Sequence, residues 1–392
     1  MIWNEKLDEK PTKEFGEAVV ERRNVGGKII SMGLGEPDLE TPSYIVDAMF
    51  EAIKEGYTKY SAAQGLLELR ERIAKDLSAR VEVNYSANEV VVLPGIKAAI
   101  YFSLCSILEP EDEVIYCTPC YVSYPTQILL AEPKAKLVPF DLSEGNFEFD
   151  LEAFKNKITD KTKVLLMANP NNPTGNIYTK DVIEKIIEIC KEKNIYIISD
   201  EVYDKLVFSN KELVTFSQYE SIKEQLVVVN GYSKSHAMTG WRLGYAVANK
   251  ELARKMSVLN FNVNTNTTTF IQKAACSIYD HGFDHLVAYN KKLKERMEYF
   301  HEQVNQVNGL SGVLPDAGFF YFVNIKETDM TSNEFCAKLV LKTGVAATPG
   351  IAFGDNWDDY IRFSLAVPFE VVESAAGLLV DFTEQLKIGD SK

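Results

Sequence analysis

VVVNGYSKSHAMTGWRLGY, residues Val227–Tyr245, sets two apolar runs around a polar turn that presents a single lysine, Lys234. The first run ends in small and hydroxyl residues, and Trp241 and Arg242 stand just before the second. A lysine so placed lies at the end of a buried strand, not on a solvated helix face. Taken alone it reads as a surface residue of a strand-to-strand turn; its meaning depends on which residues the rest of the chain brings beside it.

Working outward, both flanking runs belong to a series of short apolar segments: Val90–Leu93, Val114–Cys117, Leu137–Phe140, Val164–Ala168, Ile195–Ser199, Leu226–Val229 and Leu243–Val247. Helical patterns separate several of them. In Thr179–Asn194, for example, Val182, Ile183, Ile186, Ile187 and Cys190 fall on one stripe. Strand, helix and strand at this spacing predict an α/β fold: a mostly parallel, seven-stranded sheet covered on both faces by helices. Ligands of such sheets bind at the carboxyl ends of the strands. Upstream, helices are predicted over Ser43–Glu55 and Leu66–Ala79. After about Asn290 the texture changes to a long charged helix (Leu286–Val307), an aromatic strand in GVLPDAGFFYFVNI, a helix at Glu334–Leu341, strands at Val345–Ala347 and in YIRFSLA, and a terminal helix at Val371–Leu386. This reads as a smaller α+β domain. The expected division is an N-terminal arm with part of the small domain (1–45), a large domain (46–290) and a small C-terminal domain (291–392).

Composition narrows the function. Across 392 residues, 42 Lys and Arg face 56 Asp and Glu, a net charge of −14. Nucleic acid and anionic membrane are therefore poor partners. The opening MIWNEKLDEK lacks the apolar core of a signal peptide, and no run is long enough to span a bilayer, so a cytoplasmic location is expected. Six scattered cysteines do not form a disulfide framework. Cys117 and Cys120 make one C-x-x-C, but no second pair or suitably spaced histidine accompanies it, so no metal is expected.

The polar strings all fall at predicted strand ends. In LPGIKAAI, the amides of Gly95, Ile96 and Lys97 open a helix and can face an anion, although any tight strand-to-helix turn looks the same. CTPCYVSYP places Tyr121 where its ring could stack on a flat ligand or simply pack in the core. ANPNNPTG holds Asn172 in a proline-stiffened loop, and ISDEVYDKL ends a strand with Asp200 and Tyr203. A carboxylate there must be paired or solvated. IRFSLA buries Arg362 in a strand, which is costly unless a carboxylate or a ligand meets it.

Together and in this order, NPNNPTG, SDEVY and SKSHAMTGWRLGY resemble the class I aminotransferases of pyridoxal-phosphate fold type I, in the branch with aspartate, aromatic and prephenate aminotransferases. The resemblance spans about Ile30 to Leu386. It implies that Lys234 carries pyridoxal phosphate and moves the substrate proton, that Asp200 pairs with the ring nitrogen, and that Tyr203 and Asn172 bond the ring oxygen. It assigns the phosphate to Gly95, Ile96, Lys97, Ser233 and Arg242, ring stacking to Tyr121, and a phosphate contact across a homodimer interface to Tyr60. The polar run Asn264–Thr269 is a second candidate for a contribution from the neighbouring subunit. For the substrates, an L-amino acid and a 2-oxo acid, it implies that Arg362 grips the α-carboxylate beside Gly35 and that Lys97 meets a distal carboxylate such as that of aspartate. Three positions depart from the pattern. Gly231 stands where many relatives have serine, and Ile96 and Cys120 replace commoner small or aromatic residues. A lyase, cyclase or oxidase on the same carbanion is the alternative. A nicotinamide-dependent oxidoreductase lacks its motif, since GLGEPD has the wrong third residue.

Overall fold

The computed structural model describes residues 12–389, and in it the two apolar runs around Lys234 become adjacent antiparallel strands. In chain order the strands are β1 (Ile30–Ser31), β2 (Val90–Leu93), β3 (Glu113–Thr118), β4 (Lys136–Asp141), β5 (Thr162–Ala168), β6 (Tyr196–Asp200), β7 (Leu226–Gly231), β8 (Gly244–Ala248), β9 (Ser311–Gly312), β10 (Phe320–Asn324), β11 (Val345–Ala346), β12 (Thr348–Pro349) and β13 (Tyr360–Ser364). Seven of them form one sheet in the order β2-β8-β7-β6-β5-β3-β4. Strands β3 to β7 pair in parallel, and β8 runs against both of its neighbours. The predicted α/β sheet is thus present.

Burial on both faces explains why these strands read as unbroken apolar runs. Along β5, Val164 and Leu166 enter one apolar cluster while Leu165 and Met167 enter the other. Helix Lys180–Glu192 covers one face with Ile183, Ile186, Ile187 and Cys190, and the Thr179 hydroxyl caps its start by accepting from the Val182 N–H. Helices Ile96–Ile107 and Lys250–Asn264 cover the other face. Sequence periodicity does not reveal Lys250–Asn264, because Val258, Phe261 and Val263 are exposed apolar residues that blur its buried stripe.

A second sheet, β12-β13-β10-β9, is antiparallel, and β1 pairs in parallel with β11. Period-two alternation decides what β13 offers to each side. Ile361 and Phe363 join a core with helices His285–Asn305, Ser332–Thr343 and Phe369–Gly389, whereas Tyr360 and Arg362 point the opposite way. Residues 1–11, part of the expected N-terminal arm, lie outside the described residues. Among the described residues no helix is long and apolar enough to cross a membrane.

Phe322 of β10 ties the second sheet to the first. It stacks on Tyr360 with ring centroids 4.8 Å apart and meets Phe353, Trp357 and Phe147, in the same cluster as β3 and β5 side chains. Replacing this fully buried ring by Ala is expected to destabilise the protein by about 3–5 kcal/mol, read as a lowered denaturant midpoint.

Candidate active site

The carboxyl ends of β2, β3, β5, β6 and β7 open into a cleft of about 460 Å³, the size of a small-ligand site. After β3 the chain steps outward to β4 and returns on the other side as β5, so the two strand ends diverge there. Tyr121 follows β3 and Asn172 follows β5, one on each side of this gap. Gly35, Ile96, Lys97, Tyr121, Asn172, Asp200, Tyr203, Ser233, Lys234, Arg242 and Arg362 all line the one cleft.

The lysine sits half-buried in the β7–β8 connection. Its amine donates to the Gly35 carbonyl, and burial lowers its pKa to about 8. Glu36 and Asp200 act against that shift, while Arg362 and Arg242 reinforce it. A large share of this amine is therefore neutral near pH 8, as a nucleophile requires. Asp200, the last residue of β6, has its pKa raised by burial to about 6. The Tyr124 hydroxyl donates to it at 2.8 Å and the Val202 N–H at 3.2 Å, which partly restores the carboxylate. A cation placed against it would restore the rest. Burial pushes the Tyr203 hydroxyl above its ordinary range, so it stays a donor. Its ring is held edge-on by Phe319 and Phe320.

The other end of the cleft is an anion cradle. Gly95 has φ +91° and precedes helix Ile96–Ile107, so the first amides and the positive end of the helix face the cleft. A Cβ at Gly95 would stand 2.5 Å from Arg242 Nη2, hence only glycine lets the guanidinium lie against this turn. Arg242 is itself left-handed (φ 55°) and donates to the Thr239 carbonyl at 2.8 Å. Gly231 is explained by packing. A Cβ there would lie 2.9 Å from both Gly244 Cα and the Leu243 carbonyl and 3.2 Å from Ile96 Cγ1, so the bulk of Ile96 and the close β7–β8 contact leave no room for serine.

Arg362 is buried, with its guanidinium 4.0 Å from the Phe320 ring centroid and 4.8 Å from that of Phe353. It donates to Asn172 Oδ1 (3.2 Å), the Gly33 carbonyl (2.8 Å) and Thr348 Oγ1 (3.4 Å), while its Nε has no partner. The carbonyl that reaches it is that of Gly33, two residues before the expected Gly35. Burial lowers its pKa to about 10, so it remains a cation, and no carboxylate among the described residues neutralises it. Since the arginine takes the Asn172 amide oxygen, the amide nitrogen is left as the free donor end.

Two expected residues stay apart from this group. Tyr60 is 85% exposed, in a separate hollow with Lys59, Arg70 and Thr269, and does not reach the cleft of its own chain. The Asn264–Thr269 run packs on the same loop, Asn266 donating to Ser61 and Thr269 to the Lys59 carbonyl. Cys117 and Cys120 are buried at the end of β3, where Cys120 N–H donates to the Phe353 carbonyl. Sequence reasoning missed Tyr124, Glu36, Thr239, Phe320 and Thr348. Tyr124 lay in a string already quoted, three residues past Tyr121; the aromatic run around Phe320 looked like ordinary core.

The donor set fits pyridoxal phosphate: an anion cradle at one end, a buried carboxylate for a cationic ring nitrogen at the other, a tyrosine ring at the side and a reactive amine. Residues 27–379 match the family Aminotransferase class I and II. An aspartate aminotransferase of Bacillus subtilis is 36% identical over 371 residues, 93% of this chain and 94% of the relative. Among solved structures, an aspartate aminotransferase of Thermotoga maritima superposes with a TM-score of 0.91 at 31% identity, covering 98% of this chain and 100% of the other. An alanine aminotransferase of Pyrococcus furiosus superposes equally well, with a TM-score of 0.91 at 29% identity and the same coverage. The chain belongs to the class I and II aminotransferases, pyridoxal-phosphate-dependent enzymes that move an amino group from an amino acid to a 2-oxo acid.

Proposed function

We propose that the preferred amino donor is an L-amino acid with a second carboxylate, aspartate or a close analogue. The α-carboxylate common to all donors is read from Arg362, a buried guanidinium near two rings with an unpartnered Nε and no carboxylate among the described residues beside it, and the choice of a second carboxylate is carried by Lys97. Such a guanidinium favours a ligand carboxylate, held by parallel hydrogen bonds. Lys97, exposed at the cleft wall with its Nζ 5.5 Å from the Tyr121 centroid, is the cation available to a distal carboxylate. The aspartate aminotransferase relatives support this choice. The apolar Ile96, Ile100 and Val122 on the same wall also suit longer or uncharged side chains.

When bound, pyridoxal phosphate supplies an aldehyde carbon and an electron-withdrawing ring. In this reading Asp200, steadied by Tyr124, holds the proton on the ring nitrogen. Tyr203 and Asn172 would donate to the ring oxygen, and Tyr121 would lie against the ring and help exclude water. The amides of Gly95, Ile96 and Lys97, with Ser233 and Arg242, hold the phosphate. Lys234, with its amine free, would take the proton from the substrate Cα, which its lowered pKa suits.

The same reading makes the active unit a homodimer in which Tyr60 of the partner subunit completes the phosphate site. Exposed Tyr60, Leu67, Val258, Phe261 and Val263 lie on elements that touch, since Asn260 of the helix donates to the Ala63 carbonyl. An apolar surface of this kind suits a subunit contact. It also divides the chain into an arm with part of the small domain (1–45), a large cofactor domain (46–290) and a small domain (291–392), and puts the protein in the cytosol, where its six free cysteines would stay reduced.

Borohydride reduction of the cofactor-loaded protein is expected to leave a phosphopyridoxyl group on Lys234, found by peptide mapping; a label on another lysine overturns the assignment. Uptake of the cofactor should quicken as pH rises and level off above about 8, where the Lys234 amine has lost its proton. Arg362→Gln should lower kcat/KM for every amino acid by roughly a hundredfold, about 3 kcal/mol. For Lys97→Ala, we expect a loss of about fivefold in kcat/KM with aspartate and almost none with alanine. Equal losses would remove Lys97 from the choice of donor.

A further inference from the structure

Helix His285–Asn305 packs into the core of the second sheet, yet it also sends polar side chains to three segments around Lys234. At its first residue, His285 Nε2 stands 2.9 Å from the Ser235 carbonyl, the peptide that follows Lys234. A carbonyl only accepts, so this nitrogen carries the proton and donates. One turn later the Tyr289 hydroxyl donates to Asp38 Oδ1 (2.9 Å), and Arg296 grips both Asp38 oxygens at 3.0 and 2.8 Å. Asp38 belongs to the loop whose Gly35 carbonyl accepts from Lys234 and whose Glu36 accepts from Thr239. Arg296 also donates to the Leu365 carbonyl, three residues beyond Arg362.

Beneath the Ser235 peptide, His236 is fully buried with its Nδ1 2.8 Å from Ser235 Oγ and its Nε2 unpartnered. Its ring lies 4.8 Å from that of His285 and 5.4 Å from Phe283. Burial, then His285 and Lys205, lower its pKa to about 3, so it is a neutral wedge. Lys234 is thus held between two backbone segments that one helix ties down, and about 16 Å of stiff helix separates the ties at His285 and Arg296. The charged groups acting on the amine are Glu36, Asp200, Arg242 and Arg362.

We propose that His285 is a positioning residue for Lys234, the donor through which helix His285–Asn305 sets where the amine stands relative to the carboxylate-binding Arg362. The proposal rests on the role given to Lys234 above. The function of the contact is to keep the amine over the reacting carbon; it contributes nothing to the initial grip on substrate.

The test uses the cofactor-loaded enzyme and reads the pH midpoint of its visible absorption change together with kcat and KM. In His285→Phe, which keeps a ring but loses the donor, kcat should fall about tenfold with KM within twofold. The midpoint should move by at least about half a pH unit, because the amine's surroundings change. His285→Gln, which can still donate to Ser235, should restore both. A Phe variant with native midpoint and kcat overturns the proposal, and so does a Gln variant as impaired as the Phe variant, since the ring's packing alone would then explain the loss. Should His285→Phe not fold, Asp38→Asn, which weakens the second tie, is expected to move the midpoint likewise; an unmoved midpoint there overturns it. A native protein with no such absorption band would overturn the role of Lys234 itself, a failure distinct from that of His285.

Discussion

The cleft is organised by the problem of keeping one guanidinium buried with no counter-ion among the described residues. Arg362 reaches the cleft because strand alternation sends its neighbours Ile361 and Phe363 into the core of the second sheet. Desolvating a cation costs several kcal/mol unless hydrogen bonds and polarisable faces offset it. Here Asn172, Gly33 and Thr348 supply the bonds, while Phe320 and Phe353 supply the faces. These partners come from three regions: Asn172 follows β5, Gly33 lies in the N-terminal loop, and Phe320, Thr348 and Phe353 lie in or beside the second sheet. The arginine therefore fixes the β5 loop, the N-terminal loop and the second sheet relative to one another, and what remains unsatisfied is a place for an anion.

That arrangement reaches farther than the direct contacts. Phe353 is held by the Cys120 N–H, and Asp141 accepts from Asn356, Trp357 and Thr118, so the segment behind the arginine is pinned to the ends of β3 and β4. On the opposite wall, Gly95, Gly231 and Gly244 let backbone approach backbone where the cradle forms. Both walls are built from packing constraints, and the polar groups are carried on them.

How much of this could be read from the chain differs by kind of residue. The sheet was legible because strands buried on both faces give apolar runs without alternation, and the runs of β2, β3, β5, β6 and β7 are followed by residues that line the cleft. Alone, Lys234 read as a turn lysine; Lys234, Asp200, Tyr203, Asn172 and Arg362 were legible as a set, through the resemblance that NPNNPTG, SDEVY and SKSHAMTGWRLGY bear to the aminotransferases. Phe320, Phe353 and Tyr124 were not, since an aromatic residue that stacks on a cation or donates to a carboxylate has the same sequence context as core. Gly231 looked like a weakness against the family pattern. Its reason lies in the facing backbone, the Gly244 Cα and Leu243 carbonyl 2.9 Å from where a side chain would begin, with Ile96, 135 positions away in the chain, narrowing the space further. The ties from helix His285–Asn305 join residues 50 to 258 positions apart, and no local period marks them.

The reversal of β8 has a further consequence. Because β7 and β8 are neighbours joined by one loop, the amine of Lys234 and the guanidinium of Arg242 ride on the same short piece of chain. A ligand that engages both closes that loop at its two ends, and by mass action it stabilises only the conformers in which the loop is ordered. A loaded protein would then hold this loop at both ends, where the empty one holds it by its own packing alone.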